Sequence, residues 1–202
     1  MLIRELPIAG AFEVIPDLHG DQRGTFLEWY RYDELSRAVG HPLTLRQANL
    51  SVSVAGVVRG IHFAMVPPGQ AKYFTVPVGS LIDYVVDLRV GSPTFGEWTS
   101  LQVDDVERRA VYLAEGLGHA VYIKDGGATI NYLTSEVFNP TRELTVHPLD
   151  PDIGLVFPDS GEAPILSERD AAAPSLAELA DAGSLPLWDD CVALQNRLRV
   201  SA

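Results

Sequence analysis

Apolar and polar residues alternate over short distances along most of this chain. The segments FLEWYR (26–31), ANLSVSV (48–54), KYFTVPV (72–78), LIDYVVDLRV (81–90), EWTSLQV (97–103), AVYLAEG (110–116), HAVYIK (119–124) and TINYLTSEVF (129–138) are rich in Val, Ile, Tyr, Phe and Thr. Such residues suit a pleated, half-buried surface. Turn chemistry separates them: Gly-Asp at 20–21, Ala-Gly at 55–56, Pro-Pro-Gly at 67–69, Gly-Ser-Pro at 91–93 and Asp-Gly-Gly at 125–127. Many short strands at near-regular spacing predict an all-β sandwich or barrel. LIDYVVDLRV reads as a half-buried strand, with acidic and apolar groups on opposite faces.

The C-terminal fifth follows another period. Ser175 and Glu178 stand at capping-box spacing and predict a helix start, with Gly183 as its stop. Leu187, Cys191, Leu194 and Leu198 then recur at helical spacing. The pattern therefore predicts one domain over 1–202, with a β-rich part over about 1–165 and short packed helices over about 174–200. The segment 148–164 is the one Pro/Asp/Gly-rich surface loop, and no internal repeat is visible.

Composition narrows the function classes. The 202 residues include 27 Asp+Glu against 15 Lys+Arg, a formal net charge of −12. A nucleic-acid partner normally needs a basic face, so none is expected. Gly, Pro or charge interrupts every apolar run before the roughly 20 residues of a membrane span, so no membrane partner is expected either. The N-terminus lacks the apolar core of a signal peptide, and a cytoplasmic location is expected. The single cysteine, Cys191, excludes an internal disulfide framework and a cysteine zinc cluster.

Five histidines offer chemistry: His19, His41, His62, His119 and His147. His62 stands out in Val-Val-Arg-Gly-Ile-His-Phe, near Arg59. Alternation puts residues 60 and 62 on one face of a strand, without choosing between inward and outward. A barrel metal site usually needs two closely spaced histidines plus further ligands. His62 and His119 are isolated, so no metal is expected. Acid–base chemistry fits better. A neutral imidazole is a competent base when a carboxylate orients it, a tyrosine can supply a proton, and a lysine can stabilise an oxyanion. His62, Tyr132, Lys72 and one late aspartate form such a set.

Ordered motifs carry a resemblance. Asp21-Gln-Arg-Gly-Thr-Phe-Leu-Glu28, Gln47-Ala-Asn49, Arg59-Gly-Ile-His-Phe63 and Pro68-Gly-Gln-Ala-Lys72 run in that order. Asp87-Leu-Arg, Gly91-Ser-Pro-Thr-Phe-Gly96, Gly116-Leu-Gly-His119, Tyr132 and Ile165-Leu-Ser-Glu-Arg-Asp170 follow. Together they cover about residues 3–190 and resemble the dTDP-4-dehydrorhamnose 3,5-epimerase family. The resemblance implies a cupin-type jelly roll, a homodimer formed by strand exchange near the N-terminus, and neither metal nor redox cofactor. It implies a dTDP-4-keto-6-deoxyhexose substrate. His62 would be the base, oriented by Asp170, and Tyr132 the acid on the other face of the sugar. Lys72 would sit near the ketone oxygen. Arg59 and His119 would contact the pyrophosphate or sugar. Arg23, Phe26, Glu28, Gln47, Asn49 and Glu143 match nucleotide- or sugar-contacting positions. Phe138 stands where the family stacks an aromatic on thymine, and Arg169 is a further phosphate candidate.

The chain departs from the family pattern at Val121, where a phenylalanine is usual, and at Asn131, usually apolar. A smaller residue at 121 would enlarge the pocket. These departures point to inversion at C3, with inversion at both C3 and C5 as the alternative. A 3,4-ketoisomerase and a binding cupin without catalysis are the competing classes.

Overall fold

The computed structural model describes residues 1–200. The strands are β1 (Leu2–Glu5), β2 (Ala11–Ile15), β3 (His19–Asp21), β4 (Gly24–Phe26), β5 (Gln47–Ser53), β6 (Val58–Ala64), β7 (Lys72–Asp87), β8 (Trp98–Asp104), β9 (Ala110–Leu113), β10 (Leu117–Thr134) and β11 (Glu143–Thr145). The helices are α1 (Tyr32–Val39), α2 (Glu168–Ala171), α3 (Leu176–Asp181) and α4 (Trp188–Val200). β3 and β4 form a separate hairpin, and the other nine strands hydrogen-bond into one folded-over sheet.

Two long strands make the fold. The N-terminal half of β7 pairs with β9, and its C-terminal half pairs with β8. The N-terminal half of β10 pairs with β6, and its C-terminal half pairs with β5. β7 and β10 pair with each other along almost their whole length, with register shifts near their middles. They thus belong to both layers of a jelly roll. One layer runs β1-β2-β9-β7-β10-β5, and the other runs β8-β7-β10-β6-β11.

This corrects the strand boundaries read from the sequence. Residues 72–78 and 81–90 were expected as two strands, as were 119–124 and 129–138, but each pair is one bent strand. Glycine marks the bend rather than a turn. Gly79 has φ of +86°, and a Cβ there would lie 2.0 Å from the Gly127 carbonyl oxygen. The expected strand over 26–31 is likewise only β4, followed by α1.

The main core lies between the layers. Phe74, Val111, Leu113 and Ile130 from one meet Leu81, Val85, Val121 and Ile123 from the other. The outer faces are covered as well. α1 packs Leu35 and Val39 against Tyr73 and Tyr112. On the opposite side, α3 and residues 146–157 cover Tyr84, Val86 and Tyr122. LIDYVVDLRV is therefore buried on both faces, not half-buried, and Asp83 and Asp87 have no exposed surface. Asp87 is satisfied by Arg89, Ser92 and Thr94, which makes the 91–96 turn structural. The C-terminal helices form as expected, including the reciprocal Ser175–Glu178 capping box.

Candidate active site

A cavity of about 530 Å³ opens beside the inter-layer core. β6 contributes Arg59 and His62, and β7 contributes Lys72 and Phe74. β10 contributes His119 and Val121 from one half, and Ile130 and Tyr132 from the other. Phe138, Glu143 and Arg169 close one side, with Gln70 and the β5 residues 50–52 completing the wall.

Local backbone explains these placements. Lys72 with Phe74, His119 with Val121, and Ile130 with Tyr132 are alternate residues that share the inner face of a strand. Arg59 and His62 are three apart and would face opposite ways in a regular strand. A register shift lies between them, because His62 pairs with His119 whereas Arg59 pairs with Val121. Such a bulge brings both side chains to the cavity. It also settles the orientation that alternation left open. Gly60 sits at the shift with φ of +128°, so close to β10 that a Cβ would be 2.4 Å from the His119 carbonyl oxygen.

His62 is the centre of the site. Its Nε2 donates to Asp170 Oδ1 at 2.7 Å, which leaves the Nδ1 lone pair free. The imidazole is about one-third exposed, whereas Asp170 is buried. Burial lowers the His62 pKa below its ordinary value. Asp170 opposes that shift, while Lys72 and Arg169 reinforce it. The ring is therefore neutral at neutral pH, as a base must be. Burial alone would raise the Asp170 carboxyl. Hydrogen bonds from His62, the Gly60 N–H and Ser167 outweigh it and keep the carboxylate ionised.

The opposite layer carries Tyr132. Burial raises its pKa, and Glu143 adds to the effect, so the phenol holds its proton. Lys72 is drawn down by burial, with Glu143 and Asp83 opposing and Arg169 reinforcing. Arg59, Lys72 and Arg169 line the cavity against one lining carboxylate, Glu143. This gathers positive charge inside a protein of net charge −12, a setting that favours an anionic ligand. Among the described residues, no group of three or more His, Cys, Asp or Glu is arranged to hold a metal ion.

Anchoring contacts fix the remaining walls. Glu143 accepts from Gln70 Nε2 at 3.1 Å and from the Asn139 N–H at 3.0 Å. Arg169 donates to the Glu143 carbonyl at 2.7 Å, and Arg59 donates to Ser53 Oγ at 2.8 Å. Gln47 and Asn49 stand one strand over. Gln47 accepts from the Phe138 N–H and donates to Asn49, which pairs with Tyr132 across the ladder. Phe138 keeps half its surface exposed, leaving a ring face open.

Not every expected residue reaches the cavity. Arg23, Phe26 and Glu28 lie on or beside the β3–β4 hairpin, outside its lining. Arg23 pairs with Asp21, Glu28 faces Arg31, and Phe26 is 67% exposed. Asn131 does not line the cavity, because it points away from the face of Tyr132. Val121 does line it. Sequence reasoning missed two supports of His119: Phe74, whose ring centroid lies 4.8 Å away, and Asp83, whose Oδ1 is 2.5 Å from Nε2. The only signal for Asp83 was an acid inside an apolar strand, a feature it shares with Asp87.

Comparison with known proteins shows the family and the fold. Residues 5–178 match the family model described as dTDP-4-dehydrorhamnose 3,5-epimerase. The chain is 52% identical over 199 residues to a dTDP-4-dehydrorhamnose 3,5-epimerase of Mycolicibacterium smegmatis, covering 98% of each. It is 53% identical over 194 residues to a dTDP-4-dehydrorhamnose 3-epimerase of Streptomyces niveus, covering 96% of this chain and 93% of the relative. A solved Streptomyces bikiniensis 3'-monoepimerase in complex with dTDP-quinovose superimposes with a TM-score of 0.93 at 43% identity, covering 96% of this chain and 98% of the other. The chain belongs to the dTDP-4-dehydrorhamnose 3,5-epimerase family of isomerases.

Proposed function

We propose that this protein inverts C3 of dTDP-4-keto-6-deoxy-D-glucose through an enolate. One observation carries the reading: a histidine and a tyrosine reach one cavity from opposite layers, with a lysine beside the tyrosine on its layer. C3 and C5 both lie next to the C4 ketone, so their hydrogens are acidified. His62 removes one, and the C–H electron pair becomes the enolate double bond. Lys72 stabilises the charge that develops on oxygen. Tyr132 then delivers a proton from the other side, which inverts the carbon. Arg59 and Arg169 hold the diphosphate, and Phe138 stacks on the base. This remote binding positions the sugar.

Val121 favours C3 over C5, because a small side chain there leaves room beside the sugar ring. A homodimer completes the site. The exposed β3–β4 hairpin of a second copy would bring Arg23, Phe26 and Glu28 to the cavity mouth, beside the exposed Leu50 and Val52 of β5. A nucleotide-sugar substrate places the enzyme in the cytoplasm.

Proton NMR of the substrate in deuterated water tests the reading. Loss of the C3 signal alone is expected. Loss of both C3 and C5 signals would make the protein a 3,5-epimerase. A 3-keto product would make it a ketoisomerase, and tight binding without exchange would leave a binding module.

A further inference from the structure

The cavity holds a second histidine–aspartate pair. His119 is the direct cross-strand partner of His62, and its Nε2 lies 2.5 Å from Asp83 Oδ1. The two carboxylates live differently. Asp170 receives a backbone N–H from Gly60 besides His62. Asp83 sits in the middle of β7 with no exposed surface, inside the inter-layer core. Its cross-strand neighbours, Leu101 on β8 and Val121 on β10, are apolar. Neither of its oxygens receives a well-formed hydrogen bond, and no backbone donor reaches it. The titratable groups that face the pair are Lys72 on β7 and His62 on β6.

A buried carboxylate without donors must be neutralised, since an isolated charge there costs several kcal/mol. The proton that neutralises it sits on the carboxyl or on the imidazole. Either arrangement puts a hydrogen on Nδ1 of His119, the ring nitrogen turned away from Asp83. The His62 pair has the reverse arrangement, with Nδ1 bare.

We propose that Asp83 is a positioning residue that keeps His119 loaded with a proton on Nδ1, so that His119 donates to the C4 oxygen of the substrate while His62 removes the proton from carbon. This rests on the epimerase reading above. The step balances. The C3–H pair forms the C3–C4 double bond, the C4–O π pair moves to oxygen, and oxygen takes the Nδ1 proton of His119, while the proton shared with Asp83 stays on or moves to Nε2 so that the imidazole ends neutral. On return, oxygen gives that proton back to His119, and C3 takes its new proton from Tyr132. Burial pushes the Asp83 carboxyl above its ordinary pKa, with His119 and Lys72 opposing. Asp170 is shifted the other way.

The test is ¹⁵N NMR of histidine-labelled full-length protein at neutral pH, with His119 assigned through a His119→Gln variant. Protonated Nδ1 on His119 and bare Nδ1 on His62 are expected. In Asp83→Asn, the ¹⁵N signals of His119 should no longer report a proton fixed on Nδ1. The kcat should fall about 100-fold, the scale of a positioned proton donor, with KM little changed. A bare Nδ1 on His119 in the unmodified protein overturns the proposal, whether or not the protein proves to be an epimerase. Wild-type kcat in a folded Asp83→Asn variant overturns it as well. If that variant does not fold, the ¹⁵N measurement on the unmodified protein decides alone. Absence of any epimerase activity beside a protonated Nδ1 would fault the functional reading and leave the proton assignment standing.

Discussion

Two walls of one cavity carry the same pair of side chains and treat it oppositely. On one, His62 leans on an aspartate at the start of a short helix, fed by a backbone N–H. On the other, His119 leans on an aspartate sunk in the sheet without such a donor. A histidine–aspartate pair is therefore not a base by composition. Donors around the carboxylate decide whether the imidazole can stay neutral, and their absence forces a proton onto the pair. Acid and base can then stand on neighbouring strands at one pH.

The comparison breaks most severely at His62. Replacing it with alanine should lower deuterium exchange at the sugar carbons by about 1,000-fold or more, within the range set for a general base, while dTDP still binds. Calorimetry with dTDP and NMR exchange measure the two halves. Full-rate exchange would remove His62 as the base.

A smaller effect is expected from Asp170→Asn. The rate should fall about 100-fold as the imidazole loses its orienting partner. The pH profile carries the sign. His62 already titrates below the ordinary histidine value of about 6.5, so the acid limb of kcat/KM should lie below that pH. Asp170 raises the His62 pKa, so its loss should move the limb lower still. An upward shift would contradict the assigned roles. A lowered acid limb in Asp170→Asn beside a lost Nδ1 proton on His119 in Asp83→Asn would sharpen the contrast between the two pairs.

Val121→Phe should have the smallest effect. Val121 lies between the pairs, opposite Asp83 in the ladder and on the cavity wall. Filling it should change the ratio of C3 to C5 exchange by a few-fold, at a stability cost of about 1–3 kcal/mol because Val121 also belongs to the inter-layer core. An unchanged ratio would remove Val121 from regiochemical control.

The sequence made part of this legible. Strand-forming segments and the C-terminal capping box were visible because period and capping are local properties. His62 and Lys72 stood out by their chemistry, whereas Tyr132 and Asp170 needed the ordered motifs to be told from ordinary core and surface residues. The long strands were not legible. Gly79 and Gly127 look like turn formers, yet here they let two strands bend without stopping. The bulge that turns Arg59 and His62 to one side is likewise a pairing property, absent from any single segment. Asp83 was hidden because an acid in a strand ordinarily marks a solvent face. Here the acid shares the inward face of Leu81 and Val85, between the layers.

Most of the site is threaded on the two long strands, with β6 beside them, whereas Asp170 hangs on the four-residue α2. That division sets how the molecule fails under stress. The ladder residues can separate only when the sandwich itself opens, the costliest excursion available to the chain. Residues 167–171 are secured by a serine cap and by the hydrogen bonds of Arg169 and Asp170, and are expected to open at a lower free energy than the ladder. With His62 as the proposed base, activity is expected to fade on warming before the cooperative unfolding transition, as the imidazole loses Asp170 while the cavity walls still stand.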